Sequence, residues 1–110
     1  MEGFVRGDIV VVEFPYSNLK IWKRRPALII KVPEGEDILI CQLTAESYEK
    51  SVEIPIRKND FQQGELKKES YLRIDKIASI EKFLAKYKVG SLKQIKFEEI
   101  VDKICNYLKT

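Results

Sequence analysis

The stretch Lys23-Arg24-Arg25-Pro26-Ala27-Leu28-Ile29-Ile30 starts in positive charge and runs straight into apolar residues, with a proline at the junction. Proline fixes its own φ and drives the residue before it out of the helical region. It is also tolerated as the first residue of a strand, where no ladder donor is needed. The stretch therefore predicts a strand from Pro26 to Val32, with Arg25 extended at the lip of a sheet. Most such stretches are a solvated basic loop feeding a buried strand, so the weight of the reading falls on its neighbours.

Before it, Ile9 to Phe14 is an almost unbroken apolar, β-branched run that opens at Gly7-Asp8 and stops at Pro15, the pattern of a first strand. Between the two strands lies a predicted loop of Tyr16 to Arg25. It is long for a hairpin connection and so a candidate for function. Lys20, Lys23, Arg24, Arg25 and Lys31 fall between Phe14 and Pro33 with no acidic residue among them. Tyr16 and Trp22 are interleaved with these cations. Flat rings for bases and charge for phosphates are what a single-stranded nucleic acid requires, although Trp22 packing the loop onto the sheet explains the residue equally well.

After it, Ile38 to Thr44 reads as the return strand around a turn at Gly35. A tight hairpin there sets Ile30 opposite Ile40 and Pro26 opposite Thr44, so Arg25 and Thr44 meet at the open end. Val52, Ile54 and Ile56 alternate with Ser51, Glu53 and Pro55, a fourth strand placed near an edge by its proline. Phe61 to Glu65 reads as a polar loop. Ser70 to Ile74 turns Leu72 and Ile74 inward and Tyr71, Arg73 and Asp75 outward, where Arg73 and Asp75 make either a surface ion pair or a positioned pair in a cleft. Ile77 to Ile80 is a last short strand, followed by a helical turn over Glu81 to Lys86. A helix of about sixteen residues then carries Phe97, Ile100, Val101, Ile104, Cys105 and Leu108 on one stripe, with Ser91 or a neighbour as its cap.

The sum is a mainly β chain with a C-terminal α-helix, a small antiparallel barrel over residues 1–110 as one domain. At 110 residues, 45% apolar and 34% charged, the composition is that of a soluble globular chain with no membrane partner. The N-terminal residues lack the pattern of a signal peptide, which makes the cytoplasm the expected compartment. Cys41 and Cys105 sit inside apolar patterns and read as buried free thiols. The chain has no histidine, which removes the commonest acid–base residue and the commonest metal ligand together, so neither a cofactor nor a metal is expected. A net charge of +3 is too small to argue for nucleic acid by itself.

Gly7-Asp8-Ile9-Val10, Arg25-Pro26-Ala27-Leu28-Ile29-Ile30, Gln42-Leu43-Thr44, Leu72-Arg73-Ile74-Asp75 with Ile80-Glu81-Lys82, and Val89-Gly90-Ser91-Leu92 occur in this order. In that ordered set the chain resembles the MazF/PemK (Kid-like) toxins of toxin–antitoxin pairs. The resemblance implies an SH3-like barrel, a homodimer, and metal-independent cleavage of single-stranded RNA to 2′,3′-cyclic phosphate and 5′-hydroxyl ends. It also implies a cognate antitoxin peptide as the inhibitor. The family's arginine of the Arg-Pro motif falls on Arg25, its threonine on Thr44, and the Arg-x-Asp pair of Kid-like members on Arg73 and Asp75. The first loop departs from the family in lacking its glycine- and serine-rich composition and, as in the whole chain, any histidine.

In such a reaction the guanidinium of Arg25 suits the charge that builds on the phosphoryl oxygens, and its high pKa makes it a poor proton shuttle. Thr44 is placed to orient the attacking hydroxyl or donate to a phosphate oxygen, and Asp75 is the one nearby candidate base, although a carboxylate paired with Arg73 is a weak one. Tyr16, Lys20, Trp22, Lys23, Arg24 and Arg73 are the expected RNA-binding residues. Two other readings stand beside this one. A non-catalytic SH3-like barrel that holds RNA or a peptide would keep the basic aromatic loop and lose nothing at Thr44. A topoisomerase poison of the CcdB kind shares the barrel but depends on an aromatic C-terminal end that Asn106 to Thr110 does not resemble.

Overall fold

The computed structural model describes residues 3–15 and 22–110. In chain order they form β1 (Asp8–Pro15), β2 (Trp22–Lys31), β3 (Asp37–Thr44), β4 (Glu53–Ile56), β5 (Phe61–Gly64), β6 (Ser70–Glu81), β7 (Ala85–Leu92) and α1 (Gln94–Lys109). One sheet runs β4-β6-β3-β2-β1-β7-β5, every pairing antiparallel. The order puts the proline-bearing β4 at an edge, as its sequence requires.

The apolar run of β1 lacks alternation because the strand is covered on both faces. Ile9 packs with Leu28, Cys41, Leu43, Leu72 and the helix residues Phe97, Ile100 and Ile104. Its neighbour Val10 points the other way, into a second cluster with Val12, Ala27, Ile29, Ile38 and Ile40. Ile54 and Ile56 from one sheet edge and Phe61 from the other end in the first cluster, so the sheet curls into a half-barrel that α1 plugs. Burying side chains of this size contributes roughly 1.5–3 kcal/mol each relative to leaving them exposed, and this core is what holds the polar rims in place.

Several expectations are corrected. The loop predicted over Tyr16 to Arg25 does not extend to Arg25, because β2 already begins at Trp22 and pairs Arg24 with Glu13 and Arg25 with Val12; residues 16–21 lie outside the described residues. Pro26 is therefore inside β2 rather than at its start. The ladder to β3 begins only at Ala27, so the missing donor of Pro26 costs no bond on that side. The hairpin turns at Gly35, whose φ of +110° suits glycine. Its register is one residue off the expected one: Ile40 pairs with Ile29, not Ile30. Residues 61–64 are an edge strand rather than a loop. Gly64 (φ +78°) runs so close to β7 that a Cβ there would strike the Val89 carbonyl.

The expected strands at 70–74 and 77–80 are one strand, β6. The helical turn expected over Glu81 to Lys86 shrinks to Lys82–Leu84. The strand that follows, β7, has no counterpart in the sequence pattern, and the described residues form seven strands. Its Lys86, Tyr87 and Lys88 are all exposed and two register shifts interrupt its pairing with β1, so it carries no clean period. Ser91 lies in β7. The helix N-cap is Lys93, with no side-chain cap bond. On the stripe of α1, Phe97, Ile100 and Ile104 are buried, but Leu108 and Cys105 are exposed. Of the two free thiols only Cys41 is buried.

Candidate functional site

The β2–β3 ladder ends at Ala27 opposite Gln42. Carrying the same register on sets Arg25 directly across from Thr44, beyond the last paired residues. Here the strands part, and Arg25, Gln42, Leu43, Thr44, Tyr48, Arg73 and Lys76 line a cleft of about 440 Å³. Arg25 reaches it from the face of β2 that also carries Ala27 and Ile29. Arg24, one residue earlier, points to the other face and donates from Nε to Glu13 Oε2 at 3.2 Å.

The far wall of the cleft comes from a break in β6. Cys41 pairs with Ile77 and Leu43 with Leu72, so Arg73, Ile74, Asp75 and Lys76 all stand opposite the single Gln42. This wide bulge throws Arg73 and Lys76 toward Thr44, a common use of bulges beside functional sites. Cys41 pins it from below, its thiol donating to the Arg73 carbonyl at 2.8 Å. Burial, helped by the nearby Asp75 carboxylate, pushes that thiol up to about 12. It stays protonated and serves as a donor, not a nucleophile.

Arg73 and Asp75 form a two-pronged pair, Nε to Oδ1 at 2.9 Å and Nη2 to Oδ2 at 2.8 Å. Their side chains are only 14% and 25% exposed, against 65% and 51% for the surface pair Arg57–Glu69. Of the two alternatives read from the sequence, this is the positioned pair at a cleft. The hydrogen bonds from Arg73 hold the Asp75 carboxyl below the usual aspartate range, and the same bonds raise the Arg73 guanidinium. Arg73 keeps further N–H donors for a ligand, since a guanidinium carries five.

The near wall is Tyr48, carried on the segment 45–49. Thr44 Oγ1 donates to the Glu46 carbonyl at 3.2 Å and accepts from the Glu46 N–H at 3.3 Å. Glu53, across the ladder from Arg73, accepts from Ser47 Oγ at 2.6 Å and from the N–H groups of Tyr48 and Glu49 at 2.7 and 2.9 Å. Those donors, Ser47 foremost, lower the Glu53 pKa. The segment is tied at both ends to strand residues.

Arg25, Thr44 and Arg73 thus come together, with Asp75 behind Arg73. Trp22, Lys23 and Arg24 are not among the described residues lining the cleft, and Trp22 is 52% exposed. Tyr16 and Lys20 lie outside the described residues. Gln42, Tyr48, Glu53 and Lys76 were not foreseen. Tyr48 had a signal: whatever leaves the strand after Thr44 must pass beside it, and an aromatic follows four residues on. Among the described residues no three His, Cys, Asp or Glu side chains gather as metal ligands, and no helix is long and apolar enough to cross a membrane. What the cleft offers is two guanidiniums, an ammonium, an aliphatic hydroxyl, a phenol and an amide. That set suits a phosphodiester, with forked donors for its oxygens.

The sequence profile of the PemK-like, MazF-like toxins of type II toxin–antitoxin systems matches residues 5–108. Comparison with curated proteins gives no match. Solved structures similar to this chain include an endoribonuclease in complex with its cognate antitoxin from a mycobacterial species, with TM-score 0.76, 15% identity, and 97% of this chain and 96% of that one covered. Another is a MazE–MazF complex from Deinococcus radiodurans, with TM-score 0.76, 16% identity and 96% of each chain covered. The Mycobacterium tuberculosis toxin MazF-mt6 aligns with TM-score 0.72 and 19% identity over 93% of this chain and 96% of its own. At these identities the likeness is one of fold.

Proposed function

The chain belongs to the PemK-like, MazF-like toxins of type II toxin–antitoxin systems, and from that premise we propose that it is an endoribonuclease that cuts single-stranded RNA in the cleft between Arg25 and Thr44. The observation that supports this most is the convergence of two guanidiniums and a hydroxyl on one rim, where both ladders of β3 are broken. The ribose 2′-hydroxyl attacks the adjacent phosphorus and the bond to the 5′-oxygen breaks. The products are a 2′,3′-cyclic phosphate and a 5′-hydroxyl. Arg25 donates its fork to the phosphoryl oxygens as their charge rises. Such preorganised donors contribute roughly 2.7–4 kcal/mol to lowering a barrier.

Thr44 exchanges its bond to the Glu46 carbonyl for the substrate, orienting the attacking hydroxyl or a phosphate oxygen. Asp75 was the candidate base of the sequence reading. Its lowered pKa and the two hydrogen bonds it accepts from Arg73 make it a weak base, and we assign it the task of aiming Arg73 at the phosphate. A donor set of cations repels a divalent ion, which supports chemistry without one. An antitoxin peptide as inhibitor has its support in the antitoxin complexes of similar structures. Two-fold pairing of this small half-barrel would lengthen the groove available to RNA.

Incubating the protein with a long RNA in excess chelator tests the reading. Cuts with cyclic phosphate and 5′-hydroxyl ends are expected. Intact RNA in chelator, with cleavage restored only by a divalent ion, would overturn the mechanism.

A further inference from the structure

Tyr48 is 70% exposed, yet it does not hang on a loose loop. Its N–H and that of Glu49 are bonded to Glu53, its phenol O–H donates to Glu46 Oε1 at 3.1 Å, and Ser47 holds the other Glu53 oxygen. An exposed ring on a fixed backbone has little freedom left to lose on binding, which is preorganisation. It is also the single aromatic among the described residues that line the Arg25–Thr44 cleft.

Charge divides the two walls. Arg25, Arg73 and Lys76 supply cations, while the segment beneath Tyr48 carries Glu46 and Glu49 and is anchored on Glu53. A phosphate is drawn to the first wall and repelled by the second. The uncharged flat part of a nucleotide, its base, is what the second wall can accept.

We propose that Tyr48 is the stacking platform of the cleft, taking the face of a base next to the phosphate held by Arg25, with Glu53 as the residue that positions it. The assignment rests on the RNA-cleaving reading and names the subsite that reading lacks. Stacking on an aromatic is tolerant of base identity, so Tyr48 contributes affinity and register rather than sequence choice.

The test uses a short mixed-sequence 2′-deoxy oligonucleotide carrying 5-iodouracil, which lacks the attacking hydroxyl and cannot be cut. Near-ultraviolet light should cross-link it to Tyr48, located by peptide mass spectrometry. Tyr48→Ala should bind this probe about fivefold to a hundredfold more weakly, the range found when a stacking residue is truncated. It should raise KM for a cleavable RNA far more than it lowers kcat. Tyr48→Phe keeps the ring and should restore the binding. The site is exposed, so unchanged thermal melting separates these effects from misfolding. In Glu53→Gln the cross-link at Tyr48 should fall while melting holds. A Tyr48→Ala protein that binds as tightly as the original and still cuts RNA overturns the platform and leaves the cleavage reading intact. A wild-type protein that neither binds the probe nor cuts any RNA overturns both.

Discussion

The two ends of β3 are built on opposite plans. At its beginning, Ile38 and Ile40 pair in step with Ile80 and Ala78 on one side, Ile40 pairs with Ile29 on the other, and both isoleucines are fully buried. At its end, Gln42 and Thr44 share the same face of the strand, but the ladder to β2 has stopped and the ladder to β6 has slipped by a bulge. One strand thus passes from an apolar, buried stretch, in step with β6 and interrupted only once against β2, between Ile29 and Lys31, to a place where neighbours are held apart. The regular end supplies stability. The irregular end supplies room for a ligand, and it is affordable because the regular end is not.

The widest separation of the two ends should come from Ile40→Ala. Truncating a fully buried isoleucine costs about 2–5 kcal/mol, readable as a lower midpoint in chemical denaturation. The kcat of the protein that remains folded should be close to the original. If Ile40→Ala instead lowered kcat with stability unchanged, the division between the ends would be wrong. Next in size are Arg25→Lys and Thr44→Val, with the reverse signature. Lysine keeps the charge but loses the planar fork, and valine keeps the β-branched shape without the hydroxyl. Single-turnover cleavage should fall by roughly a hundredfold or more, while binding of an uncleavable RNA, which rests on the sum of phosphate contacts, weakens little. Parallel losses in binding and rate would reduce Arg25 to a residue that only holds RNA.

Smaller effects sharpen the picture of the rim. Glu53 has a folded-state pKa below 4.5, the ordinary glutamate value. Its hold on the 45–49 segment is therefore fully present above that pH and is lost only as the pH falls through the depressed value. The amide resonances of Tyr48 and Glu49 should titrate together with a midpoint below 4.5, and not at all in Glu53→Gln. A midpoint at or above the ordinary value would detach the segment from Glu53. Least of all should come from Lys58→Ala. Its pair with Glu65 is long, at 3.7 Å, and 85% and 62% exposed. Such pairs contribute little, and denaturation should not distinguish the variant from the original.

The same contrast decides what the sequence could disclose. Where packing is regular, composition speaks: the run from Ile9 to Phe14, the alternation of Val52, Ile54 and Ile56, and the stripe through Phe97, Ile100 and Ile104 each announce their element. Where a strand is irregular, they do not. β7 has no legible period in the sequence, because its outward residues and two register shifts leave none. The single strand β6 reads as two in the sequence because residues 73–76 bulge out of step. The position of Arg25 opposite Thr44 was legible to within one residue, since a hairpin turn limits register without fixing it. That Arg24 turns away while Arg25 turns in follows from strand alternation once β2 is known to start at Trp22. A basic run alone does not say where a strand begins. Tyr48 carries only the weak signal of its distance from Thr44, since a lone aromatic in a polar segment has no period, and the three donors on Glu53 give it a fixed address.

The pairing of β1 with β7, Asp8 against Ser91 and Ile9 against Gly90, has a consequence for how this protein is made. Synthesis is vectorial, so β1 leaves the ribosome before β2 to β7 and waits with one flank bare until residues 85–92 have been added. The strands that carry Arg25, Thr44 and Arg73 are all translated before that flank is closed and before α1 arrives to fill the interior. A nascent chain stalled short of residue 85 holds every residue proposed for RNA cleavage and none of the late segments that lock them in place. In this topology β1 is sealed by a strand translated after all those that carry the cleft, so the working cleft depends on residues 85–92 having been added.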